Sequence, residues 1–146
     1  MIRLNKKGFT LVEIMIVVAI IALLAAIAVP NLLTARRTAN EAAAKATVRS
    51  LSTAAEVFST SHAGAYPTIV GVVAAGTNPA TGLAAFISSA ANYCADAAGG
   101  TTAVQGYNYA CTLGAGGYTF VAAPVTLGTT GSITYTATTG GVLTPL

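Results

Sequence analysis

The amino-acid sequence predicts an α+β protein, in which one long N-terminal α-helix packs on a small antiparallel β-sheet. Three observations carry this prediction. Residues 9–61 contain no glycine and one proline, Pro30, among many alanines and leucines, which favours a long helix. The apolar run from Ile14 to Leu33 approaches the ~20 residues that cross ~30 Å of hydrocarbon. Residues 106–146 alternate apolar and polar side chains between glycine-rich turns, which is typical of strands.

The second half of the helix, residues 34–62, is predicted to pack against the sheet. Apolar residues recur there at alternating steps of four and three, as one helix face requires: Ala44, Val48, Leu51, Ala55 and Phe58. Arg37, Glu41 and Lys45 follow i, i+4 spacing and are expected on a solvated face. Gly64 is expected to end the helix.

The C-terminal part of the chain predicts two regions. Residues 63–105 are predicted to form an αβ-loop with one short helix, because apolar residues recur with helical spacing up to Cys94. Residues 106–146 are predicted to form an antiparallel β-sheet region with three strands, near residues 107–113, 118–123 and 133–138. The apolar face of this sheet is expected to lie on the helix stripe.

The charged residues favour neither an enzyme nor a nucleic-acid-binding face. The formal net charge is +3, but three basic residues precede Gly8, so the remaining charged side chains are balanced. Beyond Glu56 the charged residue is Asp96, whereas a nucleic-acid face needs clustered Lys and Arg. Asp96 alone cannot form a calcium site, because such a site needs several carboxylates. His62 has no acid–base or nucleophilic partner beside it in sequence and is expected to interact with the helix C-terminus.

One carboxylate, Glu13, stands inside the apolar N-terminal segment. An acidic side chain in a membrane-spanning segment costs roughly 2.5–3.5 kcal/mol on insertion scales, so it normally faces a compensating partner. We expect this partner to be a positive charge on another copy of the chain. Upstream lie a basic arm with Arg3, Lys6 and Lys7, then Gly8, followed by the run Phe-Thr-Leu-Val-Glu.

This order of a basic arm, a glycine, Phe-Thr-Leu-Val-Glu and an apolar run ending in proline resembles the N-terminus of a type IV prepilin or a related pseudopilin. In that family a membrane peptidase cuts after the glycine and methylates the new N-terminal phenylalanine. The resemblance implies that residues 1–8 are a leader, cleaved between Gly8 and Phe9, and that Phe9 is N-methylated. It assigns the assembly glutamate to Glu13, and a helix break that unwinds on assembly to Pro30.

The resemblance also implies what the protein does and where it does it. It implies a structural subunit, not an enzyme and without a cofactor, that polymerises through its N-terminal helix into a type IV pilus-like filament. The implied partners are a prepilin peptidase/methylase, identical or related pilin subunits in a helical homopolymer, inner-membrane assembly machinery, and membrane lipid before assembly. The precursor is expected to cross the inner membrane once, through residues 9–33, and the assembled subunit to reach an extracellular pilus or a periplasmic pseudopilus.

Other functions stay open at this point. The main alternative is a pseudopilin of a type II secretion-like system that moves folded proteins, and a third is a membrane-anchored binding module that never polymerises. Major pseudopilins commonly carry an acidic calcium loop, which this sequence lacks, so the resemblance leans toward a pilin. A plain signal-anchor helix is also possible, but it would leave the motif from Gly8 to Glu13 as coincidence.

The two cysteines predict a disulfide. Cys94 and Cys111 are the only cysteines, and both follow the membrane segment, in what should be an oxidising compartment. Cys94 ends the predicted short helix and Cys111 lies in the first predicted strand, so the bond would hold the intervening loop against the sheet. The alternative is a pair of buried free thiols.

Overall fold

A computed structural model describes residues 8–68, 93–94, 101–114 and 116–146 of the chain. Its one helix among these residues, α1, spans Leu11–Ser61. The strands of its sheet are β1 Thr101–Val104, β2 Tyr107–Gly114, β3 Gly117–Pro124, β4 Tyr135–Thr138 and β5 Val142–Pro145. The α+β class predicted from the sequence is confirmed. The chain divides into two compact units, Met1–Ala35 and Arg36–Leu146, and the second is called the head below.

The sheet of the head is an antiparallel meander in which each strand pairs with the next along the chain. The three predicted strands correspond to β2, β3 and β4. The strands β1 and β5 were not predicted, and β1 lies inside the range predicted as the αβ-loop. The predicted short helix falls almost entirely on residues outside the described part of the chain. The β1–β2 connection is a two-residue turn with positive φ at Gln105 (51°) and Gly106 (79°), the type I′ geometry of tight hairpins.

The core of the head lies between α1 and one face of the sheet, as predicted. All five residues of the predicted helix stripe are buried. Opposite them, alternate residues of the three central strands turn inward: Tyr107, Tyr109, Cys111, Tyr118, Phe120, Ala122, Tyr135 and Ala137. Burial of one large apolar side chain contributes about 1.5–3 kcal/mol, so this helix-on-sheet contact is the main source of the head's stability.

The carboxylates of two glutamates in α1 accept hydrogen bonds from other parts of the head. Glu56 Oε1 accepts hydrogen bonds from the Tyr118 hydroxyl and the Gly140 amide, both at 2.8 Å, and Oε2 accepts one from the Tyr66 hydroxyl at 3.1 Å. Because Tyr118 gives its one proton to Glu56, Ser52 Oγ donates to the Tyr118 oxygen at 2.8 Å. This network ties α1 to β3 and to the β4–β5 turn.

The second glutamate, Glu41, holds the loop between β3 and β4. Its Oε1 accepts the Ser132 amide at 2.8 Å and the Ser132 hydroxyl at 2.7 Å. Asn40 Nδ2 adds a bond of 3.1 Å to the Thr130 carbonyl. The spacing of Glu41 along the helix predicted a solvated surface residue. The structure shows a tertiary contact instead, which helical spacing does not encode.

The helix ends in a left-handed turn, but the residue that adopts it is not the one expected. The amide of Gly64 bonds to the Ser59 carbonyl at 2.9 Å, which is the six-to-one bond of a Schellman cap. The left-handed position of that cap falls on Ala63, with φ of 53°. Gly64 follows with φ of 89°. The cap therefore places an alanine where glycine is preferred.

The edge strand β5 presents few backbone donors. Thr134 and Leu146 exchange both backbone hydrogen bonds, at 3.0 and 2.8 Å, just beyond the β4–β5 ladder. Since bonded pairs alternate along an antiparallel ladder, the backbone groups of Leu143 and Pro145 point away from β4. Proline has no N–H. Leu143 thus supplies the one outward amide hydrogen of β5.

The Ala63 cap yields a stability prediction. Ala63→Gly should raise the free energy of unfolding by up to about 1 kcal/mol, because glycine adopts positive φ without the Cβ clash that alanine suffers. Ala63 is exposed, so the change removes no packing. Thermal unfolding of the purified full-length chain in detergent, followed by circular dichroism, measures the effect. Ala46→Gly, at an exposed interior position of α1, is the matched control and should lower stability. Equal losses of stability in both variants would contradict the placement of Ala63 at the left-handed position of the cap.

The Glu56 network yields a pH prediction. Partial burial raises the pKa of the Glu56 carboxyl, but hydrogen bonds from Tyr118, Gly140 and Tyr66 outweigh it and leave the pKa below its ordinary value. A lowered folded-state pKa means that the Glu56 carboxylate stabilises the folded head fully above the unfolded-state pKa of about 4.3. This stabilisation is lost as the pH falls through the folded-state pKa.

Glu56→Gln should therefore destabilise the head at pH 7 by about 1 kcal/mol, a figure kept low because solvent screens a half-buried carboxylate. It should also reduce the loss of stability on acidification. Glu41→Gln is the comparison variant, since the pKa of Glu41 is likewise lowered, by its bonds from Ser132. Denaturant unfolding from pH 3 to pH 7 tests this, and a wild-type acid slope in Glu56→Gln would contradict it.

Candidate functional site

The predicted cleavage site lies in an accessible segment just before α1. Gly8, Phe9 and Thr10 are exposed and have no regular secondary structure, and the Phe9 side chain is 86% exposed. A Cβ built on Gly8 would meet no atom within 4 Å, and its φ is not in the left-handed region. Steric constraints within the fold therefore do not require glycine at this position. Recognition by another molecule is a reason for the presence of glycine here.

Glu13 takes part in a capping box at the start of α1. Its Oε2 accepts the Thr10 amide at 2.8 Å and the Thr10 hydroxyl at 2.7 Å, while the Glu13 amide lies 3.2 Å from Thr10 Oγ1. This reciprocal arrangement satisfies backbone donors that the first helical turn leaves free. It describes the uncleaved chain, in which the Phe9 nitrogen is an amide and carries no charge.

The capping box was missed in the sequence analysis, although its signature was present. Threonine followed three residues later by glutamate, before an apolar run, is the pattern of this motif. The partner expected for Glu13 was a positive charge on another copy of the chain, and Thr10 was not predicted to bind it. The structure thus gives the carboxylate a neutral partner in its own chain before cleavage.

The segment that follows Glu13 is apolar and exposed on all sides. Every residue from 11 to 33 is exposed, and the large apolar side chains among them include Ile14, Met15, Ile16, Ile20, Ile21, Leu23, Leu24, Ile27, Leu32 and Leu33. Among the described residues, α1 is the helix long and apolar enough to cross a membrane. An apolar surface of this extent marks a contact with lipid or with other protein.

Pro30 lies inside α1, which does not break there. A break was expected at this proline, but the helix continues from Leu11 to Ser61 with Pro30 in its interior. Proline removes one backbone hydrogen bond, to the Ala26 carbonyl, and the strong helix formers around it keep the remaining bonds. The Pro30 carbonyl also accepts the Thr34 hydroxyl at 3.1 Å. Pro30 stands about 25 Å along the helix axis from Glu13, so the two residues do not form one site.

The cysteines form the predicted disulfide. Cys94 and Cys111 are bonded, with their Cα atoms 5.5 Å apart, and both are buried in the core of the head. Cys111 lies in β2, so the bond fastens the segment that precedes β1 to the sheet. For a loop of this size the chain-entropy model gives roughly 3 kcal/mol of stabilisation. Tyr93 packs edge-on against Tyr109, with ring centroids 4.9 Å apart, beside the bond.

His62 packs at the C-terminal end of α1. Its ring stacks on Phe58 with centroids 3.9 Å apart, and its Nδ1 lies 3.0 Å from the Phe58 carbonyl oxygen. This contact with the last turn agrees with the expected helix-end role. Within the described ranges, no three side chains of the types that bind metal ions come together.

Comparison with known proteins gives one match. A family model described as the prokaryotic N-terminal methylation motif matches residues 3–29, which include the basic arm, Gly8, Phe9 and Glu13. Comparisons with curated proteins and with solved structures found no match. The match therefore covers the N-terminal segment and not the head.

The methylation motif and the exposed apolar helix point to the same type of precursor. They support a membrane-anchored precursor of the type IV pilin or pseudopilin type. The motif implies processing by a prepilin peptidase and assembly into a pilin-based complex.

Proposed function

We propose that this chain is the structural subunit of a type IV pilus-like filament. It is cleaved after Gly8, methylated at Phe9 and polymerised through its N-terminal helix. The observation that carries the proposal is the combination, in residues 3–29, of the methylation motif with a helix whose apolar side chains are exposed. Such a helix is stable in lipid as a precursor and among identical helices after assembly.

The head gives the proposal a second support. Its α1–sheet core, two glutamate anchors and disulfide stabilise a folded domain outside the apolar segment. A subunit that leaves the membrane for a filament needs such a domain, because the head becomes the part in contact with water. The alternative, a pseudopilin that moves folded proteins in a secretion system, shares the same N-terminal chemistry and differs in the length and location of the assembly. Shear-released fibres rich in this chain support the pilus-like filament, whereas a chain retained in the envelope supports the pseudopilin.

Processing is the first test. Intact-mass analysis of the protein from its native membrane should find loss of residues 1–8 and one added methyl group. Gly8→Val should leave uncleaved precursor in the membrane, because a bulkier side chain obstructs the peptidase but fits the free space around residue 8. Normal formation of the Cys94–Cys111 bond in the variant controls for folding. A mature protein that still begins at Met1 would contradict the proposal.

The charge of Glu13 is the second test. Cleavage converts the Phe9 amide into an amine, and in a filament core the Glu13 carboxylate should pair with that amine, since an unpaired buried charge is costly. Glu13→Ala should therefore permit cleavage and strongly reduce the yield of shear-released fibres.

The capping box requires two further variants to isolate the charge. Glu13→Gln keeps an acceptor that can cap Thr10 but removes the negative charge, so it should fail in assembly as Glu13→Ala does. Thr10→Val removes the capping hydroxyl and keeps the charge, so it should assemble better than either Glu13 variant. Normal fibre yield from Glu13→Gln would refute the charge pair and leave helix capping as the role of Glu13.

A further inference from the structure

The loop between β3 and β4, residues 125–134, presents apolar side chains to solvent. Leu127 is 74% exposed, more than any other large apolar side chain in the described part of the head except Leu146. Val125, in the same loop, is also exposed. Single exposed leucines are common on protein surfaces, so the surroundings of Leu127 decide whether it has a role.

Hydrogen bonds within the head hold this loop in one conformation. Most amides of residues 125–130 donate to carbonyl oxygens of the head or to the Thr130 hydroxyl: those of Val125, Thr126, Gly128, Thr129 and Thr130. Asn40 and Glu41 of α1 fix the same loop through the Thr130 carbonyl and the Ser132 amide. A loop whose backbone donors are satisfied enters a less polar environment at a lower cost than one with free donors.

Arg37 of α1 brings a positive charge to this loop. Its Nη1 lies 3.4 Å from the carbonyl oxygen of Gly128, the residue after Leu127. Arg36 precedes it in α1 and is exposed. We call Arg36, Arg37, Val125 and Leu127 the interfacial patch.

One acidic residue, Glu41, lies near the cations of the interfacial patch. Bonds from Ser132 are the main cause of the lowered pKa of Glu41, and the charge of Arg37 adds to the lowering. Arg37 is therefore partly balanced by Glu41. The residues three and four positions from Arg36 along α1 are leucines, an alanine and an asparagine, so Arg36 has no acidic neighbour at helical spacing.

The two arginines also lie close to the membrane segment along the chain. They follow Leu33, the last residue of the apolar run, within one helical turn. At ~1.5 Å per residue Arg37 is about 6 Å of helix beyond Leu33, which matches the thickness of one headgroup layer. A guanidinium at this depth meets lipid phosphates, which arginine binds through two parallel hydrogen bonds.

We propose that the interfacial patch docks the head of the precursor on the membrane surface. Arg36 and Arg37 bind phosphates of anionic lipid headgroups, and Leu127 enters the boundary between the headgroups and the acyl chains. Val125 extends the apolar contact. The inference goes beyond the proposed function, because it needs only the membrane-anchored precursor and holds for a pilin and a pseudopilin alike.

A tryptophan at position 127 tests the docking, because the chain has no tryptophan of its own. The full-length, uncleaved Leu127→Trp chain is inserted as a single copy into nanodiscs of equal parts phosphatidylcholine and phosphatidylglycerol. Phosphatidylcholine brominated near the glycerol end of its acyl chains should then quench the fluorescence. Val57→Trp is the matched control, because Val57 is an exposed apolar residue of α1 about 30 Å of helix beyond Arg37, and it should stay unquenched.

The contribution of charge is measured in the Leu127→Trp chain. Arg36→Gln should lower the ratio of docked to undocked heads by roughly fivefold, the effect expected for one arginine near an anionic surface. Arg36→Lys keeps the charge and should retain the docking. Lys45→Gln removes a cation of the head outside the patch and should leave the quenching unchanged. Circular dichroism and the Cys94–Cys111 bond verify that each variant is folded.

Three results would overturn the inference. Equal quenching at positions 127 and 57 would mean that the loop does not enter the membrane. Unchanged quenching in Arg36→Gln, or in nanodiscs of phosphatidylcholine alone, would mean that anionic headgroups do not hold the head. An unquenched loop, together with fewer shear-released filaments from Leu127→Ser, would make the patch a contact between copies. Failure of the proposed function is distinct, because the nanodisc measurements use an uncleaved, unassembled chain.

Discussion

The exposed apolar surface of residues 11–33 is the constraint on which the rest of this protein depends. Each buried leucine or isoleucine contributes about 1.5–3 kcal/mol, and the segment leaves many of them uncovered. The chain therefore requires an apolar environment at each stage: lipid for the precursor, and other helices in the proposed filament. The leader, the capped helix start and the folded head are consistent with this single requirement.

The head uses polar contacts to fix the position of its helix on the sheet. Tyrosines dominate the inner face of the sheet, and they bring hydroxyl groups into the core that need partners. Glu56 and Ser52 satisfy Tyr118, and the Ile133 carbonyl accepts the hydroxyl of Tyr107 at 3.0 Å. Burial raises the pKa of Tyr118 to about 12, so this hydroxyl stays a donor across the physiological pH range.

Much of the fold could be predicted from the sequence because its patterns are local. The glycine-free stretch of residues 9–61 and the apolar stripe through Val48 and Leu51 predicted α1 and its buried face, and the alternation in residues 107–123 predicted β2 and β3. The two short strands β1 and β5 were missed because their sequences, Thr-Thr-Ala-Val and Val-Leu-Thr-Pro, do not alternate apolar and polar side chains, and β5 ends in a proline.

Local features of the candidate site could be predicted from the sequence, whereas contacts between distant residues could not. Cys94 and Cys111 are the only possible pair of cysteines, so the sequence was sufficient for the disulfide. Gly8, Phe9 and Glu13 lie in the motif that the family model matches, and their roles in cleavage, methylation and assembly stay predictions. The anchors made by Glu41 and Glu56 join residues far apart along the chain: Ser132 is 91 positions from Glu41, and Gly140 is 84 positions from Glu56. Pro30 shows the converse limit, since the break expected at this proline is not present in α1, which continues from Leu11 to Ser61.

The edge strand β5 has a consequence for encounters between identical heads. An open strand edge is a template on which another chain can add a strand, and crowded membranes bring identical heads close together. Pro145 and the shortness of β5 leave one outward amide, at Leu143, which is too few for a ladder. Strand addition at the β5 edge of the head is thus disfavoured when identical heads meet.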